Sequence, residues 1–238
     1  LRLTLGGAAV ATLAACKKEA DRVVESLTPP PTAIRRRTLR NENRPEVKPD
    51  WNVRFYDPFE AVDHGQWRLT VEGHVERPQV LSLDDVLALP SVSQESRMKC
   101  VECWSAKARW EGFNYQALAD LVKPTGEAQW IHFECADGYY EALPIEQLAQ
   151  PRVLWATKMD NELLLDEFGA PLRLIVPFLY GYKGPKTITW MNFQGSGGPG
   201  YWTATGAYSR EGDIKSGRDR PLDLEGSREI HGGEITDY

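Results

Sequence analysis

The chain has 238 residues, 42% of them hydrophobic and 10% aromatic, and a formal net charge of −6. That length supports one sizeable core in one or two domains, and the acidic balance excludes nucleic acid as a natural partner. Four cysteines (Cys16, Cys100, Cys103 and Cys135) are too few to staple a fold of this size, so burial must hold it together, and most of the eight tryptophans are expected in the core.

The first segment, Leu3 to Ala15, is apolar and small, broken only by Thr4 and Thr12. A bilayer span needs about 20 apolar residues, so this run reads as the apolar part of an export signal. It closes on Leu13-Ala14-Ala15-Cys16, which resembles a bacterial lipoprotein box. That resemblance implies a signal remnant over residues 1–16 and lipidation at Cys16; two acyl chains anchor stably where one is marginal. The sequence begins at Leu1 rather than Met, and Leu1-Arg2-Leu3 resembles the tail of a twin-arginine signal, whose route carries folded, cofactor-loaded proteins. Residues 17–50 are charged and proline-rich, with Pro29-Pro30-Pro31 and Arg35-Arg36-Arg37. They read as a tether or extended arm. The arginine run is either a solvated cluster or, beside a lipid anchor, a contact for anionic headgroups.

A single domain is predicted over residues 51–238. Trp67 to Gly73 alternates apolar and polar side chains, the pattern of a strand. Ser82-Leu83-Asp84-Asp85 has the form of a capping box and starts a short helix that ends before Pro90. Asn114 is placed to cap a second helix running through Val122, with Pro124 just beyond it. Strands follow at Ala128 to Cys135, Leu172 to Val176 and Lys186 to Phe193. Short helices and strands alternate without a βαβ period, which predicts an α+β fold with a mixed sheet. The tail after Gly195 is glycine-rich and polar, and is expected to be irregular, anchored by Tyr201, Trp202 and Tyr208.

The pair Cys100-x-x-Cys103 is the first chemical constellation. Structural zinc needs four nitrogen or sulfur ligands, and Cys135, His64, His74, His132 and His231 offer no second pair at ligand spacing. A dithiol redox site lacks its strand-then-helix context. A buried inert pair and a single soft thiolate for a heavy metal are further readings. Spacing alone does not choose among them.

Context does. Arg97-Met98-Lys99-Cys100-Val101-Glu102-Cys103-Trp104-Ser105 is followed by Trp110-Glu111-Gly112-Phe113, and later by Phe133-Glu134-Cys135. Gly169-Ala170-Pro171-Leu172-Arg173-Leu174-Ile175-Val176-Pro177 and Tyr180-Gly181-Tyr182-Lys183-Gly184-Pro185-Lys186 complete the series. In this order and spacing the motifs resemble the sulfite oxidase superfamily, and within it most closely the catalytic subunit of periplasmic methionine-sulfoxide reductases. The resemblance covers most of Trp51 to Trp202. It implies a sulfite-oxidase-type molybdopterin-binding fold, a Mo-molybdopterin cofactor and Cys100 as the thiolate ligand of the metal.

The same resemblance places Arg173, Lys183, Gly184, Pro185 and Lys186 at the cofactor. Their chemistry agrees: an arginine fork suits phosphate, a glycine admits close backbone approach, and Lys186 adds charge. Tyr56 and Asp57 fall where the family has a tyrosine and a glutamate near the cofactor, and Val53 stands for an asparagine, whose role passes to Asn52 or Arg54. Cys135 replaces a cofactor-contacting threonine, and Phe168 replaces an asparagine. Glu102, two residues from the ligand, is either a proton-handling group at the metal pocket or a surface carboxylate; the first needs burial and a raised pKa.

The implied chemistry is oxygen-atom transfer, with electrons exchanged singly through a redox partner such as a membrane haem protein or a cytochrome. Reduction of sulfoxides, such as methionine sulfoxide in exported proteins, is the first expectation. The alternative is a sulfite-oxidising or other dehydrogenase. Sulfite-oxidising members carry an arginine-rich segment soon after the ligand cysteine, and Ser105-Ala106-Lys107-Ala108-Arg109 is poorer in it, which favours the reductase. The chain is shorter than the methionine-sulfoxide reductase subunit between Pro144 and Phe168, which points to a differing substrate. A third expectation is a lipoprotein binding module with structural cysteines. The expected location is periplasmic or otherwise extracytoplasmic, on a lipid anchor.

Overall fold

Alternation from Trp67 to Gly73 becomes strand β1 (Leu69–Gly73) in the computed structural model, with Leu69 and Val71 turned into the core. The structure describes residues 61–101, 105–206 and 208–214, and the backbone of 218–219 and 228–229. These belong to the compact unit Thr32–Tyr238. The export signal, Cys16, the arm through residue 50, and Asn52, Arg54, Tyr56, Asp57, Glu102 and Cys103 lie outside the described residues.

The remaining elements are β2 (Gln79–Leu81), α1 (Leu83–Leu87), β3 (Val92–Lys99), β4 (Ser105–Phe113), α2 (Tyr115–Val122), β5 (Trp130–Cys135), β6 (Tyr140–Pro144), α3 (Ile145–Leu148), β7 (Leu154–Met159), β8 (Glu162–Leu163), β9 (Arg173–Ile175), β10 (Ile188–Gln194), α4 (Tyr201–Ala204), β11 (Arg218–Asp219) and β12 (Arg228–Glu229). One sheet runs β2-β1-β10-β5-β6, with β1 parallel to β10 and its other pairs antiparallel. A second sheet runs β3-β4-β7-β8, and β9 also pairs with β7. The expected α+β architecture with a mixed sheet holds.

Both predicted caps form. Ser82 accepts from the Asp85 amide and Asp85 accepts from the Ser82 amide, closing the capping box of α1. The Asn114 side chain accepts from the Ala117 amide at 3.1 Å at the start of α2. Replacing Asn114 by Ala should cost about 1 kcal/mol. Urea denaturation checks it, as a lower midpoint at unchanged m-value. The tail differs from expectation: Tyr201–Ala204 is a short helix, because Tyr201 and Trp202 pack on the main core and fix one turn.

Trp67, Trp110, Trp155 and Trp190 are fully buried, as a core role requires. Trp155 stacks on Phe113 at 5.5 Å and tilts against Phe133 at 6.3 Å, so one side chain of β7 joins the second sheet to the first. Buried leucines and phenylalanines around it, such as Leu118, Phe113 and Phe133, each contribute about 2 kcal/mol by leaving water. A smaller cluster of Ala106, Ala108, Trp110, Leu154, Ala156 and Ile175 seals the second sheet behind the site.

Candidate functional site

Strand β3 pairs with β4 in unbroken register from Val92↔Gly112 to Lys99↔Ser105, and Cys100 follows directly at the end of β3. The hairpin therefore delivers Cys100 from a rigid edge. The thiol-bearing residue is half-buried and packs against a cluster of Val101, Tyr180 and Ile214, which Tyr182 and Tyr208 also pack against. Three tyrosines stack at this cluster: Tyr180 on Tyr182 at 6.4 Å, and Tyr182 on Tyr208 at 4.7 Å.

A cleft runs next to this end of β3, lined by Arg97, Met98, Leu174, Val176, Tyr180 and Gly184. Its far wall comes from two segments zipped together. Arg173 and Lys186 form a backbone bridge, and the Leu174 amide donates to the Pro185 carbonyl at 3.0 Å. Gly184 is required there, since a Cβ would lie 2.8 Å from the Leu174 carbonyl oxygen.

Arg173 is the dominant charge. Its side chain is buried, and burial alone brings the guanidinium down to about 9. Nη1 donates to the Phe168 carbonyl at 2.8 Å, Nη2 meets Met98 Sδ at 3.7 Å, and Cζ lies 5.2 Å from the Trp110 ring centre. Nε has no hydrogen-bond partner, and Arg173 forms no ion pair among the described residues. The edge of the fork formed by Nε and Nη2 therefore meets only a thioether. Burial, with the charge of Arg173 beside it, pushes Lys186 down to about 8, while Asp137 acts the other way. A buried arginine beside a second cation is costly unless an anion offsets the charge.

Cys135 lies at the same place. Its thiol is buried, pushed well above its ordinary range by that burial, and accepts the Lys186 amide. It is a neutral, weakly polar group beside the Arg173–Lys186 bridge. Phe168 is buried too, and serves through its carbonyl, a contact any residue provides. Lys183 points elsewhere: Nζ is 2.9 Å from Glu141 Oε1, and both side chains are sealed from water. So the structure brings Arg173, Pro185, Lys186 and Cys135 together beside the cleft that Gly184 lines, with Cys100 at the end of β3. Sequence reasoning did not single out Arg97, Met98 and Tyr180 as lining, although all three lie in the motifs that it quoted. It passed over Glu141 because a partner 42 positions away leaves no local signal.

The loop that feeds Arg173 its carbonyl is tied to the start of the described chain. His64 Nε2 lies 3.0 Å from Oδ1 of Asp166, which opens the 3-10 turn Asp166–Phe168. The Asp166 hydrogen bond raises the His64 pKa above its ordinary 6.5, partly opposed by burial. The stabilisation from this contact is complete below that ordinary value and is lost as pH rises through the raised one. Thermal unfolding of the protein and of Asp166→Asn, from about pH 5 to about pH 9, should show a gap in Tm that narrows with rising pH. A gap independent of pH would rule the contact out as an ion pair.

Residues 56–202, more than half of the chain, match the family model described as oxidoreductase molybdopterin binding domain. The putative protein-methionine-sulfoxide reductase subunit YedZ1 of Azospira oryzae is 34% identical over 150 residues, 63% of this chain and 57% of that protein. The protein-methionine-sulfoxide reductase catalytic subunit MsrP of Campylobacter jejuni is 32% identical over 168 residues, 59% of this chain and 57% of that one. The chain thus spans less than two thirds of the length of these curated relatives. The sulfane dehydrogenase SoxCD of Paracoccus pantotrophus shares the fold, with a TM-score of 0.54 at 22% identity over 57% of this chain and 40% of that chain.

Proposed function

The chain belongs to the oxidoreductase molybdopterin-binding family, and from that premise we propose that it is the catalytic part of an exported sulfoxide reductase. Membership makes it a molybdopterin-dependent oxidoreductase and sets aside the binding-module expectation. The donor set fits the cofactor, as the Nε–Nη2 edge of Arg173, whose Nε has no hydrogen-bond partner, suits an anionic phosphate end beside Lys186. That pair is the observation that carries the proposal.

The bound cofactor supplies two-electron oxygen-atom exchange. The chain does the rest. Cys100 provides the soft thiolate that holds the metal. Among the described residues no group of three His, Cys, Asp or Glu could hold a metal ion. Arg173 and Lys186 hold the anionic end, Gly184 lets backbone approach, and Pro185 and Cys135 shape the wall. The family motif assigns Tyr56, Asp57 and either Asn52 or Arg54 to the same cofactor. Tyr180, Tyr182 and Tyr208 exclude water beside Cys100. Glu102 handles protons next to the ligand.

The substrate is a sulfoxide, and the relatives named for methionine-sulfoxide reduction support it. Electrons come from a membrane haem protein or cytochrome. The site faces the periplasm, with Cys16 carrying the lipid; among the described residues no helix is long and apolar enough to cross a membrane. Assays of the molybdenum-loaded protein separate the readings: methionine sulfoxide and smaller sulfoxides with a reduced dye, and sulfite with an oxidised one. Sulfoxide turnover is expected. Turnover of sulfite alone would assign the chain to the dehydrogenases instead.

A further inference from the structure

Glu141 sits on β6 with its side chain in the interior, where a carboxylate needs a reason to be. Oε1 accepts from Lys183 Nζ at 2.9 Å and from the Ala142 amide at 2.9 Å, while buried Oε2 has no hydrogen-bond partner. Desolvation raises the Glu141 pKa, and Lys183 opposes the rise. Such a pair adds little stability over apolar packing, yet removing one partner is strongly destabilising. Its value lies in what it fixes.

Three segments meet at this pair. Lys183 closes the 3-10 turn Gly181–Lys183, between Tyr182 and Gly184. Gly200 lies against the carboxylate, where a Cβ would come 2.2 Å from Oε1 and 2.3 Å from Oε2. Gly212 lies against the lysine stem, where a Cβ would come 2.5 Å from Lys183 Cγ. The stretch from Gly200 to Gly212 carries Tyr208, which stacks on Tyr182 beside Cys100. The Gly212 carbonyl accepts the Tyr180 amide at 2.9 Å. On the β5–β6 side, the Tyr139 hydroxyl donates to the Tyr182 carbonyl. One buried ion pair thus ties β6, the Tyr180–Gly184 loop and the C-terminal segment into the wall around Cys100.

We propose that Glu141 is a positioning residue for the molybdopterin cleft, acting through Lys183 to hold the Tyr180–Gly184 loop against Cys100. Lys183 then serves the cofactor indirectly, through its carboxylate partner. The proposal rests on the cofactor reading above.

The test compares the full-length loaded protein with Glu141→Gln, Lys183→Met and the double variant. Molybdenum per folded chain, KM against kcat, and the line shape of the paramagnetic molybdenum signal are read for each. Both single variants should lose metal retention by about 10-fold, the scale of outer-shell changes around a metal. The double variant should lose no more than either single one, since both break one interaction. Lys183→Arg should retain most of the metal. Loss in Lys183→Met with a normal Glu141→Gln would make Lys183 a direct ligand and overturn the proposal. So would a lowered Tm with unchanged metal content and unchanged line shape in both singles. Should the wild-type protein itself hold no molybdenum, it is the cofactor reading that fails.

Discussion

Arg173→Met should cut molybdenum retention by about 10- to 100-fold while leaving the cofactor-free fold nearly as stable as before. The two effects part because Arg173 costs the empty protein a buried charge. Methionine relieves that desolvation and keeps much of the packing against Trp110 and Met98. Against this stands the loss of the bond to the Phe168 carbonyl and of the contact with Trp110, each worth on the order of 1 kcal/mol. The terms nearly offset. With cofactor present nothing replaces the two-pronged donor edge of the guanidinium. Metal analysis and thermal unfolding, with and without cofactor, check both halves. Equal destabilisation of the loaded and empty forms would make Arg173 a structural residue.

Gly112→Ala should be strongly damaging to the described fold. Gly112 lies in the Trp110-Glu111-Gly112-Phe113 motif, where β4 pairs with β7 at a register shift. An added Cβ would sit 1.9 Å from the Trp155 carbonyl oxygen and 2.8 Å from the Ala156 Cα. Both are backbone atoms, so no side chain can swing away, and the sheet itself must open. A loss of about 3 kcal/mol or more is expected. Trp155 links the two sheets, and β4 holds β3, so the damage reaches Cys100. Urea denaturation reads the loss of stability. A variant within experimental error of the wild type would mean that β4 and β7 separate freely, which their packing does not allow.

Much of the fold could be read from local chemistry. Ser82 and Asn114 marked helix starts because a side-chain oxygen satisfies an otherwise orphaned amide, a rule that needs no tertiary context. Strand β1 followed from alternation. The β3–β4 hairpin that carries Cys100 did not, for β3 is Val-Ser-Gln-Glu-Ser-Arg-Met-Lys, an edge strand whose buried positions are Ser96 and Lys99. Polar residues buried by later packing leave no apolar period to detect. Strand β7 is a short run buried on both faces, which periodicity does not separate from a helix segment.

The candidate site was legible only through the family motifs. Arg173 and Lys186 look like ordinary surface charges in isolation, and only the fold buries Arg173 and sets it beside Lys186 across a backbone bridge. The motif assigned Lys183 to the cofactor, whereas its ammonium meets Glu141, a partner that only the folded chain reveals.

Molybdenum content tests the central claim most directly. The full chain, expressed in a host that makes the cofactor, should carry near-stoichiometric molybdenum, and Cys100→Ala at matched folding should lose the metal or its thiolate signature. A wild-type protein without molybdenum, or a Cys100→Ala protein that keeps both metal and signature, would contradict the account.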